Sequence, residues 1–156
     1  MSLQHLVDRE LIFTDIDGGS RDTVLGELAE RLERQGAIPS AADLHAKLLE
    51  RERQGSTAIG KGVAIPHCKL PQLERVVVAV ALLPSGVDVE SPDRQPVRLF
   101  FVVVSPESSP AVHLQSLAAI SRWLKDDSNL ERIRRATTAD EARACLCGTA
   151  EGSQSA

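Results

Sequence analysis

Val76-Val77-Val78-Ala79-Val80-Ala81-Leu82-Leu83 is an unbroken run of eight apolar residues. A strand with one wet face alternates apolar and polar side chains, whereas a continuous run of this length reads as a strand covered on both faces. Val97 to Val104 reads the same way and is closed by Ser105-Pro106, while Pro84-Ser85-Gly86 between the two reads as a turn. Ahead of this pair, Leu11-Ile12-Phe13 is a short strand candidate. Val24, Leu25, Leu28 and Leu32 recur at helical spacing between a cap at Ser20 and a stop at Gly36. Leu44, Leu48 and Leu49 mark a second helix running to about Gln54. Behind the pair, Pro110 opens a helix whose expected apolar stripe is Leu114, Leu117, Ala118, Ser121 and Leu124. A short helix follows with Leu130 and Ile133, and Thr138-Ala139-Asp140-Glu141 is a capping box for a last one. Strands buried on both faces need helices over both. The expected fold class is therefore α/β, a three-layer αβα sandwich with a mixed β-sheet and helices on both faces.

Composition narrows the function. The 156 residues fit one domain, and 18 basic against 22 acidic side chains leave a net charge of −4. The only aromatic residues are Phe13, Phe100, Phe101 and Trp123. A nucleic-acid binder would carry a basic face and stacking rings, so that class is excluded as a partner. Membrane insertion is not expected either, because a span needs roughly 20 apolar residues. The start, Met1-Ser2-Leu3-Gln4-His5, lacks the basic and apolar regions of a signal peptide. Cys68, Cys145 and Cys147 are too few and too irregular for a disulfide framework or a zinc knuckle, which points to a reducing, cytoplasmic setting.

Gly55-x4-Gly60-Lys61-Gly62 comes within one residue of a phosphate-binding P-loop, but Gly62 stands where the magnesium-binding hydroxyl belongs. The loop also runs from a helix into β-like Val-Ala-Ile, the reverse of the P-loop order. His67 follows Pro66 at the end of that β-like segment. Its neutral imidazole is a competent nucleophile near pH 7, and Arg51-Glu52-Arg53 lies shortly before it with charge to hold an anion. His113 sits in the first turn of the Pro110 helix, where the helix dipole lowers a histidine's proton affinity. Each has a plain alternative: a strand-end histidine, a helix-surface histidine, and, for Arg51, a solvated helix end with paired charges. His5 and His45 offer less.

Leu49-Glu50-Arg51-Glu52-x-x-Gly55-Ser56-Thr57-x-Ile59-Gly60-x-Gly62-Val63-Ala64-Ile65-Pro66-His67 resembles the signature of enzyme IIA in the fructose, mannitol and nitrogen-regulatory branch of the bacterial phosphoenolpyruvate-dependent phosphotransferase system. Asp93-Arg94-Gln95-Pro96-Val97 and His113-Leu114-x-x-Leu117-Ala118 are similar to the same family, and the resemblance spans residues 10 to 147. It implies that residues 1–147 form a phosphocarrier domain, while 148–156, small and polar, reads as a disordered tail. It implies that His67 accepts a phosphoryl group on Nε2 from a histidine phosphocarrier protein, and that His113 and Arg51 flank that group. Ser56, Thr57 and backbone N–H groups of the glycine loop are further candidate donors to it, and the transfer needs no cofactor or metal. With no sugar module in the sequence, the chain looks most like the stand-alone nitrogen-regulatory IIA. Such proteins bind targets such as kinases or potassium-transport components according to their phosphorylation state. A stand-alone fructose-type IIA that passes the group to a sugar-transport IIB is the alternative. One position departs from the family: Cys68 stands where glycine usually follows the active histidine. If that position needs φ > 0, cysteine is strained there. Its thiol is also a candidate redox handle, or a metal ligand together with His67 and His113.

Overall fold

Six strands make one mixed sheet in the computed structural model, which describes residues 2–146. They are β1 (Ile12–Phe13), β2 (Ala58–Gly60), β3 (Val63–Ala64), β4 (His67–Leu70), β5 (Val77–Val87) and β6 (Val97–Pro106). The order is β1-β5-β6-β3-β2, with β4 also pairing to β6. The two long apolar runs are antiparallel neighbours at the centre, Val80 opposite Phe101 and Val78 opposite Val103. β3 and β4 are parallel to β6 and follow one another along the same edge of it, interrupted at Ile65-Pro66. The expected turn at Pro84-Ser85-Gly86 is instead part of β5. The register moves from Leu82–Leu99 to Val87–Val97, so the chain bulges and resumes pairing without reversing. Gly86 has φ +77°, which the bulge requires.

Period-two alternation divides the central strands between two apolar layers. Ala79, Ala81, Phe100, Val102 and Val104 face α2 (Arg21–Arg34) and α3 (Ala41–Arg53). Val78, Val80, Leu99, Phe101 and Val103 face the other side, where α1 (Leu3–Leu6), α4 (Pro110–Leu124), α5 (Asp127–Arg134) and α6 (139–146) supply Leu3, Ile120, Trp123, Ile133 and Leu146. The expected αβα layering holds, and the sheet is open.

Local chemistry sets the helix ends. Ser20 and Ser40 accept the backbone N–H groups of Thr23 and Asp43, each at 3.1 Å. Gly36, at φ +77°, closes α2 with the N–H groups of Gly36 and Ala37 returned to Glu33 and Leu32, the two bonds of a Schellman cap. Thr138 caps α6 through the Glu141 N–H at 3.1 Å, while the Glu141 carboxylate reaches the Thr137 N–H at 2.8 Å. One expectation fails on α4. Leu114 is 68% exposed, and the buried stripe is His113, Ser116, Ala119, Ile120, Trp123 and Leu124. Cys147 and the expected tail lie outside the described residues.

Candidate functional site

His67 is the first residue of β4, and its half-buried ring folds back over the break that precedes it. Nδ1 lies 2.7 Å from the Ile65 carbonyl oxygen. A carbonyl only accepts, so Nδ1 carries the proton, and in the neutral ring Nε2 holds the free lone pair. Pro66 and the strand break make this possible. The Ile65 carbonyl is offered to the ring, while the Pro66 carbonyl accepts the Val103 N–H at 3.0 Å and restarts the ladder.

β6 runs beside β4 and delivers the chain to α4, which brings the second histidine in. The rings of His67 and His113 are 5.5 Å apart between centroids and tilted by 53°. His113 is 7% exposed and shares a 2.7 Å hydrogen bond between Nδ1 and the hydroxyl of fully buried Ser105. Burial, then the nearby His67 and Lys69, hold its pKa below the ordinary histidine value. The unfolded chain takes up this proton near pH ~6.5, the folded protein only at lower pH. His113's contribution to stability is thus complete above the unfolded value and is lost as pH falls through the folded one. Going from about pH 7.5 to about pH 5.5, the urea midpoint of the wild type should fall more than that of His113→Gln, whose amide still reaches Ser105. Equal slopes in the two proteins would contradict this account.

The other sequence candidates are held differently. Arg51, in the last turn of α3, donates to the Gly55 carbonyl at 2.8 Å and so braces the loop that follows. Ser56 accepts the Ala58 N–H at 3.1 Å. Thr57 is buried, and both its N–H and its hydroxyl donate to Glu52, at 3.1 and 2.5 Å. Its hydroxyl proton is therefore already committed. The structure brings His67 and His113 together, whereas the side chains of Arg51, Ser56 and Thr57 hydrogen-bond within their own segment.

Two residues escaped the sequence reading. Lys69 is two positions beyond His67 on the same strand, pairs in register with Ser105, and is close enough to depress His113. The i, i+2 spacing of a strand was the signal available for it. Glu52, in the charged run after Leu49, is only 5% exposed.

Cys68 is extended within β4, and among the described residues only Lys61 and Arg94 have positive φ without being glycine. The position therefore imposes no left-handed strain. Alternation turns Cys68 away from His67 into the layer under α2 and α3. Burial pushes the thiol up to about 12, with Lys47 opposing weakly, which disfavours the thiolate that redox chemistry needs. The same alternation breaks up a His67–Cys68–His113 ligand set, and no group of three metal-binding side chains forms among the described residues. No helix among them is long and apolar enough to cross a membrane.

The chain is 40% identical over 134 residues to the nitrogen regulatory protein of Bradyrhizobium diazoefficiens, covering 86% of this chain and 87% of that one. It is 33% identical over 104 residues to a phosphotransferase-system fructose-specific EIIA component of Haloferax volcanii, covering 67% and 68%. Among solved structures, the nitrogen regulatory protein IIA-Ntr of Neisseria meningitidis superposes with a TM-score of 0.84 at 30% identity, over 92% of this chain and 98% of that one. Residues 5–147 match the family described as phosphoenolpyruvate-dependent sugar phosphotransferase system, EIIA 2, and the chain belongs to that family.

Proposed function

We propose that this chain accepts a phosphoryl group on His67 Nε2 from a histidine phosphocarrier protein and acts as a nitrogen-regulatory regulator by phosphorylation-dependent protein binding. The observation that carries the proposal is the bond from His67 Nδ1–H to the Ile65 carbonyl, which leaves Nε2 as the basic nitrogen. In the transfer, the Nε2 lone pair forms the new N–P bond as the N–P bond to the carrier's imidazole breaks, and the leaving nitrogen keeps the electron pair. The proton stays on Nδ1 throughout, donated to the Ile65 carbonyl.

The arriving group carries about −1.5 to −2 charges. Beside His113 it opposes the burial that holds that pKa down and favours the protonated ring, which turns from neutral neighbour into charged donor. Lys69 adds a fixed cation on the same face, and Arg51 remains the candidate guanidinium from α3. Donor and acceptor are both imidazole nitrogens, so the transfer calls on no metal. Leu114, exposed one residue beyond His113, gives the rim an apolar contact for a protein partner.

The test is incubation with phosphoenolpyruvate, enzyme I and the cognate carrier. One acid-labile phosphoryl group per chain is expected, and no mass gain would sink the proposal. For the regulatory half, pull-downs with wild type, His67→Ala and His67→Asp should recover different partners, and identical sets would remove the switch. The similarity to a fructose-specific EIIA component favours a second reading. In that case the phosphorylated chain passes its group to a sugar-transport IIB.

A further inference from the structure

We propose that Glu52 is a positioning residue for His67, acting through Thr57 and Ile65 to fix which ring nitrogen is free. This rests on His67 being the phosphoryl acceptor, as argued above.

The connection is a continuous run of hydrogen bonds. Glu52 lies in the last turn of α3, 5% exposed, with its two carboxylate oxygens divided between the Thr57 N–H at 3.1 Å and the Thr57 hydroxyl at 2.5 Å. Arg21, at the start of α2, places a guanidinium nitrogen 3.7 Å from the same carboxylate and compensates its charge. Thr57, fixed at both its N–H and its side chain, presents its carbonyl to the Ile65 N–H at 3.1 Å. Ile65 in turn presents its carbonyl to His67 Nδ1–H at 2.7 Å.

Ile65 is the weak point that this arrangement supports. It falls between β3 and β4, where pairing to β6 lapses, and it precedes a proline that has no N–H to give. Its own N–H goes to Thr57, in the loop after α3. That loop contains Gly55 at φ +146°, a position with wide conformational freedom. Among the described residues Glu52 is the partner of both the N–H and the hydroxyl of Thr57, and without the carboxylate neither is held. The Ile65 carbonyl is then free to rotate, and the bond that selects the Nδ1–H tautomer weakens. A buried carboxylate is also a poor choice for stability alone, since an apolar side chain of similar size usually does as well. Its two-pronged grip on one residue is what an apolar side chain lacks.

The experiment is ¹⁵N NMR of the His67 ring in the unphosphorylated protein, beside steady-state transfer from the phosphorylated carrier. In wild type, neutral His67 should show a single tautomer with Nδ1 protonated. In Glu52→Ala a mixture of tautomers is expected. Its kcat should fall by about 10- to 100-fold, with KM for the carrier unchanged. Thr57→Val, which keeps the N–H arm and loses the hydroxyl arm, should fall between, and Thr57→Ser should restore wild-type behaviour. A folded Glu52→Ala protein with the wild-type tautomer and kcat overturns the proposal, even if its melting temperature has dropped. If Glu52→Ala does not fold, Thr57→Val decides by the same spectra, and an unchanged tautomer there overturns it. If wild type accepts no phosphoryl group, the proposed function fails, and the NMR comparison still decides the role of Glu52.

Discussion

His67→Ala should leave the chain folded and abolish acceptance of a phosphoryl group. The ring's hydrogen bond is to one backbone carbonyl at a half-buried strand end, so its removal returns that carbonyl to water at a cost of about 1 kcal/mol. The chemical loss should be total, because the free Nε2 goes with the ring. His113 has its Nδ1 committed to Ser105 and its ring buried. His67→Gln is the sharper control. Its amide can still donate to Ile65 but offers no nucleophilic nitrogen, and it should be equally inert. His113→Ala should behave differently, reaching full modification about 10²-fold more slowly, the scale on which a single stabilising donor acts. Intact mass at neutral pH, followed over time, separates these outcomes. Modification of His67→Ala at the wild-type rate would move the acceptor elsewhere.

Phe101→Ala should be the most damaging core substitution. Phe101 is fully buried in β6, pairs with Val80 on the central strand, and meets Trp123 edge-on at 5.7 Å between centroids. The cavity and the lost contacts together cost about 3–5 kcal/mol. Native domains have only about 5–15 kcal/mol to lose. For a chain of this length the melting temperature should drop by about 10–15 °C. Trp123 is the only tryptophan, so its fluorescence reports both the unfolding and the changed environment. A drop of only a degree or two would mean that α4 and α5 close over the gap.

Much of this was legible beforehand. The two long apolar runs marked the central strand pair and, with it, the demand for helices on both faces. The glycine-to-histidine signature pointed to His67, and Pro110 placed His113 near a helix start. What stayed hidden depended on which way side chains turn. On α4 the apolar periodicity chose Leu114, but the helix is rotated so that His113 and Ser116 are buried instead. Bringing the two histidines together overrides hydrophobic bookkeeping at that turn. In Arg51-Glu52-Arg53 every residue is charged, and nothing in the run marks Glu52 as the one turned inward. Its partner Thr57 is reached only once the loop folds back. Sequence adjacency puts Cys68 beside the site, yet one step along a strand is a change of face.

The sheet's edges carry a consequence for the life of the chain outside its native state. β1, β2 and β4 are two, three and four residues long, and they flank two long strands that are mostly apolar. While folded, the protein offers another chain very little backbone to pair with. When unfolded, it exposes two of the segment types most prone to cross-β assembly. Protection from such pairing thus belongs to the folded state and not to the sequence. Any substitution that raises the unfolded population acts first on aggregation, before it acts on the site.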